Sequence, residues 1–289
     1  MSVLNRRLLP TPRLLVVGSV VLGVGACHRN QTASAPPPVP ASAPTRNATP
    51  VPVPRQDSAS GSIAITSGES VIRSMYQRYA ATWYRNLTFV QKTTLVLSSG
   101  GEVVQTWYEA GQMPGRLRID TDLRSKGGVL YAGDSTYNFA AGKLVRADTG
   151  LNVLLLLSFG VYSQEPSRTE AHLRRSGFDL TRFHEDTWHG MPVYVVGAAR
   201  GDTTSKQFWV DRDRLLFVRL LENTRQGRAD FRISGYVQAG GGWVATEVEQ
   251  YVNGKRKLLQ QYSQIRTNVT LSDALFDPGK WATASHWVP

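Results

Sequence analysis

Residues 87–98 read Leu-Thr-Phe-Val-Gln-Lys-Thr-Thr-Leu-Val-Leu-Ser, and apolar side chains recur there at alternate positions. Leu87, Phe89 and Leu95 fall on one side of such a segment, and a mostly polar set falls on the other. A period of two is typical of a strand with one buried and one solvated face, as antiparallel sheets have. Residues 116–120 and 230–234 repeat this alternation, so the chain is predicted to be mainly β.

Turn-forming residues separate these runs at nearly regular intervals. The strongest signal is Asn253-Gly254, because Asn-Gly suits the type I′ turn of a two-residue hairpin. The spacing predicts a curled antiparallel meander of about 11–13 strands that forms an unclosed β-barrel. The other turn signals lie at residues 98–101, 140–143, 189–190, 211–214 and 240–242.

Three short segments are predicted to be helical. In residues 71–79, apolar side chains recur at spacings of three and four, and Ser67 or Ser70 can cap the helix. Residues 151–159 are apolar around nearly the whole circumference and must be buried on all sides, whereas residues 167–176 are polar and basic. Such a pair, inserted between two groups of strands, predicts a lid or plug over one face of the sheet.

Strands 193–196, 208–210 and 215–221 are apolar on both faces, so both faces must leave water. One face is expected under the helices and the other inside the curled sheet. A layer of this many strands encloses a volume that side chains do not easily fill, as in ligand-holding barrels; a packed sandwich without a void is the alternative. For Trp107, Phe139, Phe208 and Phe231 an ordinary core position is the favoured alternative, whereas the residues of the apolar helix are the stronger cavity candidates. The full set of expected cavity residues is Trp107, Leu117, Ile119, Phe139, Leu154, Leu155, Leu157, Phe159, Phe208 and Phe231.

Residues 1–26 have the pattern of a lipoprotein signal peptide. Three arginines precede an apolar run, Leu14 to Val24, and small residues then lead to Cys27, the only cysteine of the chain. Cys27 would become the first residue of the mature chain and carry acyl chains, and two or three such chains hold a protein firmly at a membrane. The alternatives are a cleaved secretory signal and a spanning helix, but a span is expected to need about 18 or more apolar residues.

Residues 27–67 are predicted to be this lipidated cysteine followed by a disordered tether, because Pro, Ala, Ser and Thr offer little to bury. Residues 68–289 are predicted to form the folded domain. The formal net charge is +11 at pH 7. An exported, anchored protein would not meet nucleic acid, so a negatively charged membrane surface is the partner that this charge would suit. Ordinary solubilising charge is the favoured explanation, because Lys and Arg are scattered along the predicted strands.

No pattern of catalytic, metal-binding or cofactor-binding residues stands out. His184 and His189 are five apart on a predicted strand and turn, whereas zinc proteases place two histidines four apart on one helical face. Residues 211–214 lack the ligand-bearing loop of an EF-hand. The sequence has no glycine-rich phosphate loop before a helix and no nucleophile elbow. The chain is therefore predicted not to be an enzyme and to use no metal or cofactor.

Several segments together resemble the carriers and receptors of outer-membrane lipoproteins, the LolA/LolB-like family. After the first helix come Phe89-Val-Gln-Lys-Thr, then Trp107-Tyr-Glu-Ala-Gly-Gln-Met-Pro-Gly-Arg-Leu-Arg-Ile-Asp120 and an aspartate-centred hairpin at Gly133-Asp-Ser-Thr-Tyr-Asn-Phe139. Gln207-Phe-Trp-Val-Asp211 and Leu271-Ser-Asp-Ala-Leu-Phe-Asp-Pro278 also fit. The resemblance covers roughly residues 68 to 280 and is a pattern of strands and turns.

The resemblance implies an unclosed antiparallel barrel whose apolar interior shelters the acyl chains of lipoproteins, with helices as a lid. The family's carrier is soluble and its receptor is a lipoprotein, so Cys27 implies the receptor side and a periplasmic carrier as a partner. His28 stands where some relatives have an aspartate that marks inner-membrane retention, which favours the periplasmic face of the outer membrane. Met113 replaces an arginine linked to holding the lid shut, so we expect a lid held by apolar contact alone. An envelope sensor or structural module that binds a partner protein is the alternative function.

Overall fold

The computed structural model describes residues 64–288. Its helices are α1 (Gly68–Tyr79), α2 (Val153–Ser158) and α3 (Pro166–Arg175), with 3-10 turns at Gly160–Tyr162, Asp273–Phe276 and Pro278–Lys280. The strands are β1 (Asn86–Val96), β2 (Glu102–Gln112), β3 (Arg116–Asp122), β4 (Gly127–Ala132), β5 (Ser135–Ala140), β6 (Lys143–Thr149), β7 (Phe183–Trp188), β8 (Met191–Val196), β9 (Gln207–Asp211), β10 (Phe217–Thr224), β11 (Gly227–Ser234), β12 (Val237–Ala239), β13 (Gly242–Val244), β14 (Glu247–Val252) and β15 (Lys255–Thr267).

Thirteen of these strands form one antiparallel sheet in the order β6-β5-β4-β3-β2-β1-β15-β14-β11-β10-β9-β8-β7. Within residues 64–288 the edge strands β6 and β7 do not pair with each other, so the sheet is not closed into a barrel. The predicted fold class, a mainly β unclosed meander of 11–13 strands with short helices, is confirmed. Strands β12 and β13 form a separate hairpin.

The first and last strands of the sheet lie side by side at its centre. Strand β1 pairs with β2 along its whole length and with β15 from Leu87 opposite Thr267 to Leu95 opposite Leu258. This pairing divides the sheet into an N-terminal half, β1 to β6, and a C-terminal half, β7 to β11 with β14 and β15. Helices α2 and α3 lie in the connection between β6 and β7, the two strands at the free edges.

The sequence explains where the helices begin. Ser67 is the N-cap of α1, where its hydroxyl accepts from the Ser70 N–H and the Ser70 hydroxyl accepts from the Ser67 N–H, which makes a capping box. The Asn152 side chain accepts from the Leu155 N–H at 3.0 Å and starts α2 two residues later than the apolar run does. In the part of the chain that the structure describes, none of the helices has the length and apolar character that a membrane span requires.

The main hydrophobic core lies on one face of the sheet, which we call the inner face. Helices α1 and α2 and the Gly160–Tyr162 turn pack there and join side chains from both halves in one continuous cluster. On the opposite, outer face of the N-terminal half, Leu275, Phe276 and Trp281 of the C-terminal segment cover β2, β4 and β5. The domain therefore has a sheet at its centre, helices on one side and a C-terminal strap (residues 271–288) on the other.

Candidate inner-face binding site

The strand register shows which side chains share the inner face. Residues opposite each other in an antiparallel pair point to the same side of the sheet. Across β1 to β5 the register places Phe89, Glu109, Ile119, Val129 and Asn138 in one row. Because Phe89 belongs to the main core, this row belongs to the inner face.

The predicted cavity residues of the N-terminal half occupy this face. Trp107 lies opposite Gln91 and is half-buried, and its indole N–H donates to Gln105 at 2.9 Å. Leu117 is buried opposite Tyr131, and Ile119 packs against the main core as a half-buried residue. These three side chains therefore follow strands β2 and β3 on the side that the helices face.

The C-terminal half contributes Phe208 and Phe231 to the same face. Both lie opposite Leu220, which stands between them on β10, and all three are buried in the main core. The strands that the sequence marks as apolar on both faces, such as β8, are buried on both: Tyr194 and Val196 belong to the main core, while Val193 and Val195 belong to a small cluster on the outer face.

Helix α2 presses its apolar side chains onto this core. Leu155 and Leu157 are buried, and Leu154 is half-buried against the same cluster. Phe159 follows the helix and is buried as well. The residues predicted on 151–159 are thus brought together with Leu117, Phe208 and Phe231 in one cluster.

Phe139 does not join them. Its ring stacks on Trp281 with centroids 4.2 Å apart, and it belongs to the outer-face cluster under the C-terminal strap. The expectation that Phe139 lines the inner side is therefore wrong. The alternation of β5 places Thr136 and Asn138 inside and Tyr137 and Phe139 outside, where Trp281 supplies the apolar partner.

Aromatic rings fill the inner face where the helices meet the C-terminal half. Trp83 stacks on Tyr162 with centroids 4.0 Å apart, on Tyr84 at 5.0 Å and edge-on against Tyr79 at 5.3 Å. These side chains come from α1, the segment after it and the 3-10 turn beyond α2. The protein's own aromatic side chains therefore fill this part of the inner face.

Hydrogen bonds connect the helical layer to the sheet. The Tyr162 hydroxyl accepts from the Phe217 N–H at 2.9 Å, and the Tyr79 hydroxyl donates to the Arg214 carbonyl. Met113 packs half-buried against the main core. The expectation of a lid held by apolar contact alone is nevertheless wrong, because these tyrosines add specific polar contacts.

Three polar side chains on the inner face were missed by the sequence reading. Glu109, Gln91 and Asn138 are each buried. Within residues 64–288 the Gln91 Oε1 and both polar atoms of the Asn138 amide lack partners, and desolvation is the only influence that shifts the pKa of the Glu109 carboxyl. Buried polar groups are normally paired, so an unpaired set in one region is exceptional. The alternation of side chains along β2 could have predicted the position of Glu109, because Glu109 and Trp107 point to the same face of the sheet.

Burial changes the acid–base properties of this region. Desolvation raises the pKa of Glu109 to about 8. Burial, and then the proximity of Glu109, raise the pKa of Tyr131 to about 12. A carboxyl group that stays neutral near pH 7 can donate a hydrogen bond to a carbonyl oxygen. The inner face of the N-terminal half therefore combines apolar walls with polar groups that lack protein partners.

The remaining candidate residues lie elsewhere. His184 lies on β7 with its Nδ1 3.1 Å from the Ala198 carbonyl, and His189 lies in the following turn with φ +50°. Among residues 64–288 no group of three or more His, Cys, Asp or Glu side chains is placed to hold a metal ion. Cys27 and the predicted tether lie outside the described residues, apart from 64–67.

Solved structures share this arrangement of sheet and helices, although no family model and no curated protein matches the sequence. A DUF1329 family protein of Desulfovibrio piger is 16% identical with a TM-score of 0.50, covering 73% of this chain and 95% of that one. A domain assigned to outer-membrane lipoprotein sorting, from Vibrio parahaemolyticus, is 12% identical with a TM-score of 0.52, covering 74% and 98%. A LolA superfamily protein of Nitrosomonas europaea is 14% identical with a TM-score of 0.45, covering 71% and 97%.

These similarities define the class of fold. The sheet order, the helical layer and the Desulfovibrio and Vibrio structures agree on a LolA/LolB-like fold, as the sequence resemblance predicts.

Proposed function

We propose that this chain is an envelope lipoprotein that buries the acyl chains of lipoproteins or of other lipids on its inner face. The observation that carries this proposal is the position of α2 and α3 between β6 and β7. Because those strands are the free edges of the sheet, α2 and α3 can move without breaking any strand pairing. The Vibrio relative, assigned to lipoprotein sorting, supports the same role.

The energetics favour reversible burial. Moving α2 away from the sheet separates side chains such as Leu155 and Leu157 from Leu117, Phe208 and Phe231, and an acyl chain fills the space between these two apolar walls. A chain of about fourteen carbons gains on the order of 10 kcal/mol at about 0.8 kcal/mol per methylene. That gain is enough to offset the separation of a two-turn helix from the sheet, so no covalent step is needed.

Glu109 and Asn138, which are buried on the inner face of the N-terminal half, could bind the ester or amide group that joins an acyl chain to the rest of the lipid. An ester or amide carbonyl lies next to the acyl chain in every lipidated cysteine. A neutral Glu109 carboxyl donates to such an oxygen, and the Asn138 amide can donate as well. The groups that lack partners in the closed arrangement would find them in the complex.

The proposed anchor would set the location of the domain. Acylation of Cys27 would place the domain at the outer membrane, facing the periplasm, at the end of the tether. A periplasmic carrier would then be the donor of its cargo. The expected observation is acyl mass on the first peptide of the mature chain, and a mature chain without acyl groups would contradict the anchor.

The decisive experiment is a Leu155→Glu substitution in the full chain, assayed with a fluorescent fatty acid. Leu155 lies on α2 in the main core, so a charge there should abolish uptake while the sheet stays folded, as circular dichroism would show. Phe139→Leu is the matched control, because Phe139 is buried on the outer face. Equal fatty-acid binding by a folded Leu155→Glu chain would contradict the proposal.

A second candidate, a module that binds a partner protein, is favoured by the free edge strand β6. Every residue of β6 except Asp148 is exposed, and Leu144 and Val145 are 52% and 62% exposed. Exposed edges of this kind can pair with another chain. Native mass spectrometry separates the two candidates: co-purified lipid supports the first, and a bound protein without lipid supports the second.

A further inference from the structure

A cleft of about 490 Å³ opens at the end of α1, outside the inner-face site. Its walls come from the last turn of α1, the turn before β10 and the β12–β13 hairpin. The lining contains two arginines and no acidic residue: Arg78, Tyr79, Thr82, Arg214, Gln238, Ala239, Gly240, Gly241, Gly242 and Trp243.

The two guanidinium groups are positioned but not fully engaged. Arg214 donates from Nε to the Asp211 carboxylate at 2.7 Å, which leaves its two Nη groups without another partner in the described residues. Arg78 donates from Nη1 to the Asp213 carbonyl at 2.6 Å and has no carboxylate partner within residues 64–288. Asp211 is buried behind Arg214, and the exposed Asp213 is outside the lining.

The hairpin adds backbone donors. Gly240 and Gly241 form its two-residue turn, with φ +54° and +85°, which are the left-handed values that a type I′ turn requires. Gly241 also approaches Thr82 so closely that an added Cβ would lie 2.2 Å from the Thr82 carbonyl oxygen. Neither turn glycine donates its N–H to another group within residues 64–288. Two backbone N–H groups are thus available next to two arginines.

The cleft is continuous with the core under the helices. Trp243 is half-buried at the wall, where the Arg214 guanidinium lies 5.7 Å from its ring, and it packs against the main core. Tyr79 forms part of the lining and also contacts Trp83 and Tyr162 in the aromatic cluster. A molecule with a charged group in the cleft could therefore continue as an apolar chain under the moved helices.

We propose that this cleft binds the phosphate group of an anionic amphiphile. Planar guanidinium groups and backbone N–H groups are the usual partners of phosphate oxygens. Two guanidinium groups and two amides offer more donors than the two oxygens of a carboxylate can use, which favours a tetrahedral phosphate. This inference rests on the proposed function, since it names the head group of a lipid whose acyl chains would occupy the inner face.

The test compares three probes on the full chain in a non-ionic detergent by titration calorimetry. The probes are dihexanoyl phosphatidic acid, dihexanoylglycerol with the same acyl chains, and inorganic phosphate. We expect phosphatidic acid to bind at least about tenfold more tightly than dihexanoylglycerol, the effect of a charge-assisted hydrogen bond. Arg78→Gln should abolish this difference without changing the affinity for dihexanoylglycerol.

Arg85→Gln is the matched control, because Arg85 is exposed just after α1 but does not line the cleft. It removes the same charge and should leave all three affinities unchanged. Arg214→Lys is the second variant, because a lysine can keep Asp211 paired but cannot match the fork of a guanidinium. Equal effects of Arg78→Gln and Arg85→Gln would overturn the proposal.

The outcomes separate the two proposals. Binding of both lipids with equal affinity would contradict the phosphate site but would still support acyl-chain binding on the inner face. Binding of inorganic phosphate alone, weakened by Arg78→Gln, would assign the cleft to free phosphate and count against acyl-chain burial. Absence of phosphate-dependent binding by any probe would overturn the cleft site.

Discussion

The two halves of the sheet bury their inner faces in different ways. In the C-terminal half, Phe208, Leu220 and Phe231 present a continuous apolar surface to the helices. In the N-terminal half, the buried side chains of Glu109 and Asn138 interrupt that surface, and the Asn138 amide has no partner among the described residues. The C-terminal half is thus an apolar surface on which the helices pack, whereas the N-terminal half contains buried polar side chains that interrupt this surface.

The outer faces of the two halves also differ, and here the N-terminal half is the more fully covered one. Behind the N-terminal half, the C-terminal strap buries Arg118 and Asp120 beneath Trp281, whose ring lies 3.9 Å from the Arg118 guanidinium. The outer face of the C-terminal half carries a ladder in which Arg219 bridges Trp209 and Asp230. The half whose inner face contains unpaired polar atoms is thus covered on its outer face by the C-terminal strap.

The largest expected loss of stability follows from removing the buried carboxylate of Asp120 beneath the C-terminal strap. Asp120 accepts two hydrogen bonds from Arg118 at 2.8 and 2.9 Å and lies 2.8 Å from the His286 Nε2. Burial by itself would raise the pKa of Asp120, but the hydrogen bonds from His286 and Arg118 lower it overall. Asp120→Asn leaves a buried arginine uncompensated and should reduce the free energy of unfolding by about 3–5 kcal/mol, measured in urea.

Asp148→Asn is the control for that prediction. Asp148 pairs with Arg146 at 2.6 Å on the exposed edge strand, where the side chains are 38% and 71% exposed. An exposed pair contributes about 0–1 kcal/mol. Similar losses in the two variants would mean that the strap adds nothing to the stability of the N-terminal half.

The second prediction concerns the buried carboxyl of the inner face. In the unfolded chain Glu109 loses its proton near pH 4.5, whereas the folded chain keeps it until about pH 8. Stability from this group is therefore complete below pH 4.5 and falls as pH rises to about 8, at about 1.4 kcal/mol per unit where the two states differ. Glu109→Gln should remove this decline and be more stable than the parent at pH 8 by about 2–4 kcal/mol.

The measurement is the free energy of unfolding in urea at pH 5, 6, 7 and 8. Glu222→Gln serves as the comparison, because Glu222 is equally buried but is paired with the Lys206 ammonium at 2.8 Å. A parent and a Glu109→Gln variant with parallel pH profiles would show that the inner face of the N-terminal half is not desolvated.

The smallest expected loss of stability tests the hydrogen bond that joins the helices to the C-terminal half of the sheet. Tyr162→Phe removes the hydroxyl that accepts the Phe217 N–H and should cost about 1–2 kcal/mol of stability. Because that bond joins the helical layer to β10, its loss should also speed fatty-acid uptake several-fold in stopped-flow fluorescence. Tyr76→Phe is the control, since the Tyr76 hydroxyl donates to Glu165 at an exposed site. Equal uptake rates for both variants would argue against a moving layer.

Much of this fold could be predicted because it is encoded locally. The alternation in residues 87–98 specifies β1, and Ser67 caps α1 as predicted. Asn253-Gly254 forms the turn between β14 and β15, and both residues have positive φ. Parity along a strand fixes which side chains share a face, but it does not say which face the helices cover. Phe139 shows the limit, since its apolar partner Trp281 comes from the far end of the chain.

The candidate site was predicted to a smaller extent. The apolar helix 151–159 had to be buried, and that followed from composition alone. Glu109 looks like any polar strand residue until its neighbours are known, because its unusual pKa comes from the burial that Tyr262 and Tyr131 share with it across the sheet. The Arg78 and Arg214 cleft depends on three segments that meet only in the folded chain.

The pairing of β1 with β15 has a consequence for the order of folding. The strand made first finds its second neighbour only when residues 255–267 have emerged, so the two halves of the sheet stay separate until synthesis is nearly finished. Contacts so distant in sequence carry a high loop-closure cost and slow the folding reaction. Until then β1 presents an unpaired edge, which makes an incompletely folded chain prone to aggregation.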